Sequence, residues 1–219
     1  MQSSDDPPGA AETDHYFTAQ PASAADLRPL RVRLGDRELD LVTAPGVFSP
    51  GRLDAGTQVL LHEAPPAPEH GDLLDLGCGW GPITLSLALD SPAATVWGVD
   101  VNERAIALLR RNAERVAATG VRACLPDEVP DDLRFAAIWS NPPIRVGKAV
   151  LHQLLLRWLP RLDVGASAYL VVQRNLGSDS LHRWLDEQLG PRGFQVSRAA
   201  TARGFRVLRV TAPAAPPPW

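Results

Sequence analysis

Apolar positions alternate with polar ones early in the chain and later come in unbroken runs. Leu30, Val32 and Leu34 are interleaved with Arg31 and Arg33; Gly35-Asp36 follows, then Leu39, Leu41 and Val42. A period of two on either side of a turn pair predicts a β-hairpin with one buried face. Beyond residue 69 the pattern changes. Leu73-Leu74 with Leu76, Ala94–Val99, Val121–Leu125, Phe135–Ser140 and Ala168–Gln173 are short apolar runs, the mark of strands covered on both faces. Between them the apolar residues take helical spacing: Ile83, Leu85 and Leu87; Ala105, Ile106, Leu109 and Ala113; Leu151, Leu154, Leu155 and Trp158; and finally Ser180–Leu189. Strand and helix in regular alternation predict an α/β fold: a Rossmann-like, mostly parallel sheet with helices on both faces and an N-terminal β-hairpin extension. Phe194–Arg198 and Phe205–Val210 fit an antiparallel pair at the sheet edge.

Proline and small or acidic residues dominate 1–14 and 213–219, so both ends are expected to be disordered. Residues 15–68 hold the aromatic cluster His15-Tyr16-Phe17, expected to be buried, then the hairpin, the loop Pro45–Asp54, a helical segment Gly56–His62 and a proline-rich linker. Residues 69–212 form the core.

Composition narrows the function classes. A chain of 219 residues, 45% hydrophobic and 21% charged, suits one globular domain. No apolar run approaches the ~20 residues of a membrane span, and Met1–Gly9 is acidic and polar rather than a secretory signal, so a cytoplasmic location is expected. Two cysteines give no disulfide framework, and no metal-ligand spacing is present. A net charge of −3 excludes coating nucleic acid by charge alone. Any such contact needs a local patch, and Arg28, Arg31, Arg33 and Arg37 on the hairpin are either that patch or a solvated polar face.

The candidate chemistry starts at Asp75-Leu-Gly-Cys-Gly-Trp-Gly81, a glycine turn between the first core strand and its helix. Such a turn brings backbone N–H groups and a helix N-terminus to a ligand. A dinucleotide site would not place a carboxylate two residues before the first glycine, where it repels pyrophosphate. Asp75 instead suits a cationic ligand, and S-adenosylmethionine carries an ammonium and a sulfonium without phosphate. Asp100 ends the second core strand about 25 residues past the turn, where an acid takes ribose hydroxyls. Asn102 caps the next helix. Asp127, after the third strand, is a candidate for the adenine side. Asn141-Pro142-Pro143-Ile144 closes the fourth strand, and its two prolines stiffen the backbone. The Asn141 amide and the proline carbonyls, which lack an N–H on the next residue, can accept hydrogen bonds from a planar –NH2 group and aim it for transfer. Lys148, the only lysine, lies with Arg145 at the start of a helix and hints at an anionic substrate such as a phosphate backbone.

Asp75–Gly81, Asp100-Val-Asn102 and Ser140–Ile144 together resemble the signature set of class I S-adenosylmethionine-dependent methyltransferases. Gly46-Val-Phe-Ser49, Leu53-Asp-Ala-Gly-Thr57 and Asn141–Lys148 are similar, more narrowly, to the methyltransferase small domain of 16S ribosomal RNA guanine-N2 methyltransferases. The resemblance implies a seven-stranded sheet with an antiparallel last strand and S-adenosylmethionine as cofactor. It implies cofactor contacts from Asp75, Gly77, Cys78, Gly79, Gly81, Asp100, Val101, Asp127 and Thr57, under a loop from Gly46 to Thr57. Asn141 and Pro142 would meet the amine as catalytic residues, with Pro143, Ile144, Arg145, Lys148 and Phe48 on the substrate. Ile144 stands where many amino-methyltransferases have a stacking aromatic, so stacking would fall to Phe48 or Tyr16. The larger ribosomal enzymes carry a further N-terminal domain without a counterpart here, so target recognition is expected to differ. The implied activity is N-methylation of an exocyclic amine, guanine N2 of ribosomal RNA, with ribosomal RNA or the subunit as partner. Two alternatives stay open: methylation of a glutamine amide on a translation factor, and a cofactor-binding protein that transfers nothing.

Overall fold

A computed structural model describes residues 26–215. Residues 1–25, with the His15–Phe17 cluster and Tyr16, and residues 216–219 lie outside them. The hairpin pairs β1 (Arg28–Leu34) with β2 (Arg37–Thr43). Then follow α1 (Ala55–Glu63), β3 (Asp72–Leu76), α2 (Pro82–Asp90), β4 (Thr95–Val99), α3 (Glu103–Arg115), β5 (Val121–Cys124), β6 (Phe135–Ser140), α4 (Lys148–Trp158), β7 (Leu162–Gln173), α5 (Ser178–Leu189), β8 (Gln195–Ala202) and β9 (Phe205–Thr211).

Seven strands form one sheet in the order β5-β4-β3-β6-β7-β9-β8. The first five run parallel; β9 is antiparallel to both β7 and β8. The α/β sheet with helices on both faces and a separate hairpin is the architecture expected from the apolar pattern. One boundary moved substantially. β7 starts at Leu162 rather than Ala168, because Leu162 pairs with Phe135 ahead of a bulge that the apolar run does not reveal.

Side-chain parity divides the core. Leu74, Leu76, Ile138, Leu170 and Leu208 face α4 and α5, where Leu151, Leu155, Trp158, Leu181 and Leu185 are buried. Leu73, Val96, Ala137, Tyr169 and Val207 face the other way, onto Val59 and Leu60 of α1 and Ile83 and Leu87 of α2. Each such leucine is worth about 1.5–3 kcal/mol when fully buried. The parity also decides where Asp75 goes. It shares the face of Leu73 and therefore points under α2.

The hairpin buries Leu30, Val32, Leu34 and Leu41 against Ile106 and Leu109 of α3. Asn112 of α3 locks it there, exchanging hydrogen bonds of 2.8 and 2.9 Å with the Val42 backbone and donating to Trp80 O at 2.9 Å. All four hairpin arginines are neutralised: Arg28 by Asp26, Arg31 by Asp40, Arg33 by Glu38 and Arg37 by Asp90. That is the solvated polar face, with Arg31 and Arg33 paired across the strands, Arg28 with its own segment and Arg37 with the end of α2. Among the described residues no helix is long and apolar enough to cross a membrane.

Gly98, on β4, lets α2 and α3 close on the sheet. A Cβ there would overlap Leu109 Cδ2 and lie 2.8 Å from Thr84 Oγ1. Gly98→Ala is expected to destabilise the protein by about 1–3 kcal/mol, the usual cost of overpacking. Urea unfolding measures this directly, and an unchanged midpoint would contradict the packing described.

Candidate active site

The strand order reverses between β3 and β6, and an open α/β sheet binds ligands outside the carboxyl ends of its strands at such a point. A cavity of about 420 Å³ lies there. It is lined by the ends of five strands: Leu76 and Gly77 after β3, Val99 to Asn102 after β4, Pro126 after β5, Asn141 to Arg145 after β6, and Gln173 of β7. Val47, Phe48, Ser49 and Arg52 line it from the loop before α1. That loop is pinned in place. Gly46 O accepts from Asn102 Nδ2 at 2.7 Å, Pro45 O from Arg104 Nη1 at 2.6 Å, and Ser49 O from Trp80 Nε1 at 3.2 Å.

The glycine turn hooks onto β4, since Gly77 N and Cys78 N both donate to Val99 O, at 2.8 and 3.0 Å. Gly77 and Gly79 have φ of 83° and 54°, with open space where a Cβ would stand. A ligand can therefore approach their backbone closely. Gly81 differs. A Cβ there would meet Leu109 Cδ1 at 2.5 Å, and the residue lines neither this cavity nor the smaller one beside it, so its demand for glycine comes from helix packing.

Asp100 sits at the tip of β4 and lines the cavity. Its Oδ2 accepts from Gly79 N at 3.0 Å and its Oδ1 from Asn102 N at 2.9 Å. Burial pushes this carboxyl above its ordinary range, opposed by those backbone N–H groups. Each oxygen keeps a lone pair for a ligand hydroxyl. Val101, 46% exposed, flanks it in the lining.

Asp75 is 0% exposed and lines neither this cavity nor the smaller one beside it. Its Oδ2 accepts from Thr84 N at 2.9 Å and Thr84 Oγ1 at 2.6 Å, anchoring the first turns of α2. Its Oδ1 is buried without a partner. Desolvation raises the carboxyl from 3.8 to about 7, against the two Thr84 hydrogen bonds.

At the end of β6, Asn141 Nδ2 donates to Asp54 Oδ2 at 2.8 Å and to Thr57 Oγ1 at 3.1 Å. Asp54 is the N-cap of α1, and the same oxygen accepts from Gly56 N and Thr57 N. An ionised carboxylate only accepts, so the –NH2 end of Asn141 must face it, and both its protons are spent. The free end of the carboxamide is Oδ1. The proline carbonyls are less free than the sequence suggested. Pro142 O accepts from Ile144 N at 2.8 Å in a tight turn over Pro143, and Pro143 O from Val146 N at 3.2 Å. Pro142 O retains one lone pair.

Other expected site residues are scattered. Phe48, Pro143, Ile144 and Arg145 line the main cavity; Thr57 and Cys78 line the smaller one, where Phe48, Gly77, Gly79 and Asn141 also appear. Lys148 begins α4 outside both. Asp127 is outside as well. It is exposed and paired with Arg157 at 2.8 Å, and its neighbour Pro126 occupies the lining instead. Asp54, Gln173, Leu176 and Phe205 were not anticipated. Asp54 carried a helix-start signal, an Asp just before Ala55-Gly56-Thr57. The other three become site residues only through the pairing of β7 with β9.

The strand order, the glycine turn and a cleft at the β3/β6 switch define a Rossmann-like methyltransferase. The profile of the methyltransferase small domain matches residues 38–209, and the chain belongs to that family. It is 32% identical over 200 residues to the Bacillus subtilis protein YbxB, covering 90% of this chain and 98% of that one. It is 36% identical over 187 residues to ribosomal RNA small subunit methyltransferase C of Ectopseudomonas mendocina, covering 80% of this chain and 52% of the relative. Among solved structures it resembles the T. thermophilus 16S rRNA N2 G1207 methyltransferase in complex with AdoMet and guanosine. The TM-score is 0.71 at 27% identity, over 88% of this chain and 52% of that one. The chain thus spans about half the length of these two ribosomal enzymes.

Because the folded state holds the Asp75 proton up to about pH 7 and the unfolded chain only to about 3.8, that proton stabilises the fold fully below the lower value. The stabilisation is lost as pH rises through the interval. Stability measured by denaturant between pH 4 and 8 should fall more steeply for the wild type than for Asp75→Asn, which keeps an acceptor for Thr84. Parallel profiles would contradict the buried carboxyl.

Proposed function

We propose that this chain is an S-adenosylmethionine-dependent N-methyltransferase acting on an exocyclic amine, guanine N2 of ribosomal RNA. The carrying observation is the fixed orientation of Asn141: with its –NH2 committed to Asp54 and Thr57, it offers the cavity an acceptor only. A group that donates N–H is welcomed there; a carbonyl, carboxylate or phosphate oxygen is not.

The donor set fits the cofactor. Gly77 and Gly79 give the backbone approach, and Asp100 has lone pairs for vicinal hydroxyls. Asp75 acts from behind the turn, holding Thr84 N and Oγ1 and so fixing the start of α2. When bound, S-adenosylmethionine supplies an electrophilic methyl group.

The chain's own residues position the acceptor. Asn141 Oδ1 and the remaining lone pair of Pro142 O take the two amine protons, which turns the nitrogen lone pair out of that plane. Positioning of this kind lowers the barrier without a strong base, because the proton can leave after the nitrogen has become cationic. Phe48, 39% exposed on the cavity wall, offers a ring for a base where Ile144 cannot stack. A planar glutamine amide would satisfy the same two acceptors. The identity to ribosomal RNA small subunit methyltransferase C favours the nucleobase.

Asn141→Ala should lose at least ~100-fold in turnover while S-adenosylmethionine binding by calorimetry stays near wild type. Tritium from labelled cofactor should enter purified small-subunit ribosomal RNA and not purified translation factors. Label confined to protein would overturn the reading, as would near-normal turnover of Asn141→Ala.

A further inference from the structure

We infer that the mouth of the cavity is a phosphate-tracking surface for the RNA strand on either side of the acceptor nucleotide, built from Arg52, Arg145, Lys148, Arg174 and Arg203. The inference rests on the nucleobase reading above and names what holds the rest of that substrate.

Four connections bring these cations together: the loop before α1, the β6–α4 segment, the end of β7 and the β8–β9 turn. Arg52 and Arg145 both line the cavity. Arg174 follows Gln173, itself in the lining, and its backbone N donates to Gly204 O at 2.9 Å. That bond ties the end of β7 to the β8–β9 turn, so Arg203 stands next to Arg174 and two residues from the lining residue Phe205. Lys148 opens α4 three residues beyond Arg145, at a helix N-terminus that disfavours a cation.

The contrast with the hairpin is what gives the patch meaning. There every arginine faces a carboxylate. At the mouth, among the described residues, no carboxylate or side-chain hydrogen bond engages any of the five, and all are exposed. The two acids in the lining, Asp54 and Asp100, are turned onto backbone N–H groups. A chain of net charge −3 therefore concentrates unpaired positive charge around one opening. Phe48 and Leu176, 39% and 41% exposed, supply apolar surface in the same ring, the cation-plus-stacking arrangement that suits single-stranded nucleic acid.

Arg203 adds a local reason. Ala202 pairs with Phe205, so Arg203-Gly204 is a two-residue hairpin loop, with φ of 48° and 82°. A two-residue loop with positive φ at both positions favours Asn-Gly, and a long side chain at the first is strained there. Asparagine would serve the turn better. Arginine puts a cation at the tip.

The test uses Arg174→Ala/Arg203→Asn, which keeps the turn chemistry and touches no cavity-lining residue. Binding of a small-subunit ribosomal RNA transcript is measured against salt, with Arg31→Ala/Arg33→Ala on the hairpin as control. Removing one cation that neutralises a phosphate should flatten the slope of log K against log salt by about 1. The double variant should therefore flatten it by about 2, while the control keeps the wild-type slope. S-adenosylmethionine affinity should be unchanged in both, and the thermal transition should not fall in the double variant, since asparagine relieves the turn. A wild-type slope in the double variant, or an equal flattening in the control, would overturn the surface. These outcomes separate from failure of the acceptor reading: tritium entering RNA with an unaltered slope refutes the surface alone, and tritium entering only protein refutes both.

Discussion

One carboxylate oxygen, Asp54 Oδ2, accepts from Gly56 N, Thr57 N and Asn141 Nδ2. The first two bonds start α1, a cap worth about 1 kcal/mol. The third carries that local choice across the molecule to the end of β6. Charge-assisted bonds of this kind are roughly twice as strong as neutral ones. This one also carries information, because it decides which end of a symmetric-looking carboxamide is left free. Around it the parts fit: α1 lies over β7 and β9, its preceding loop roofs the cavity, and Thr57 takes the second proton of the amide.

Beside that constraint the glycine turn has a narrower task. Gly77 and Gly79 open the backbone to a ligand, whereas Gly81 and Gly98 are needed so that Leu109 can pack. Asp75 belongs with the packing too, holding Thr84 from a position that solvent does not reach. In the proposed function, the turn prepares a place for the methyl donor and the Asn141 strand end selects what receives the methyl. Two neighbouring strand ends divide donor from acceptor.

The sheet was legible because buried parallel strands write themselves as short apolar runs, and the helices between them keep a clean period. Asn102 was legible as a cap, and Asn141 as the close of a strand. Asp54 was read only as the end of a loop, and its partnership with Asn141 was invisible, since a contact between residues 87 apart has no local signature. The burial of Asp75 was available from parity with Leu73, but the motif drew attention to its charge instead of its direction. The proline carbonyls misled for a similar reason: Pro143 removes one N–H, and the tight turn then delivers that of Ile144. The arginine patterns needed the structure, because strand register for Arg31 and Arg33 and the approach of α2 to Arg37 separate the paired hairpin from the unpaired cavity mouth.

The central claim is that Asn141 presents an oxygen, and only an oxygen, to the acceptor. A crystal structure with S-adenosylhomocysteine and guanosine tests it most directly. The guanine N2 amine is expected within hydrogen-bond distance of Asn141 Oδ1, with Asn141 Nδ2 still on Asp54. An acceptor oxygen held by Asn141 Nδ2, with the Asp54 hydrogen bond broken, would contradict it.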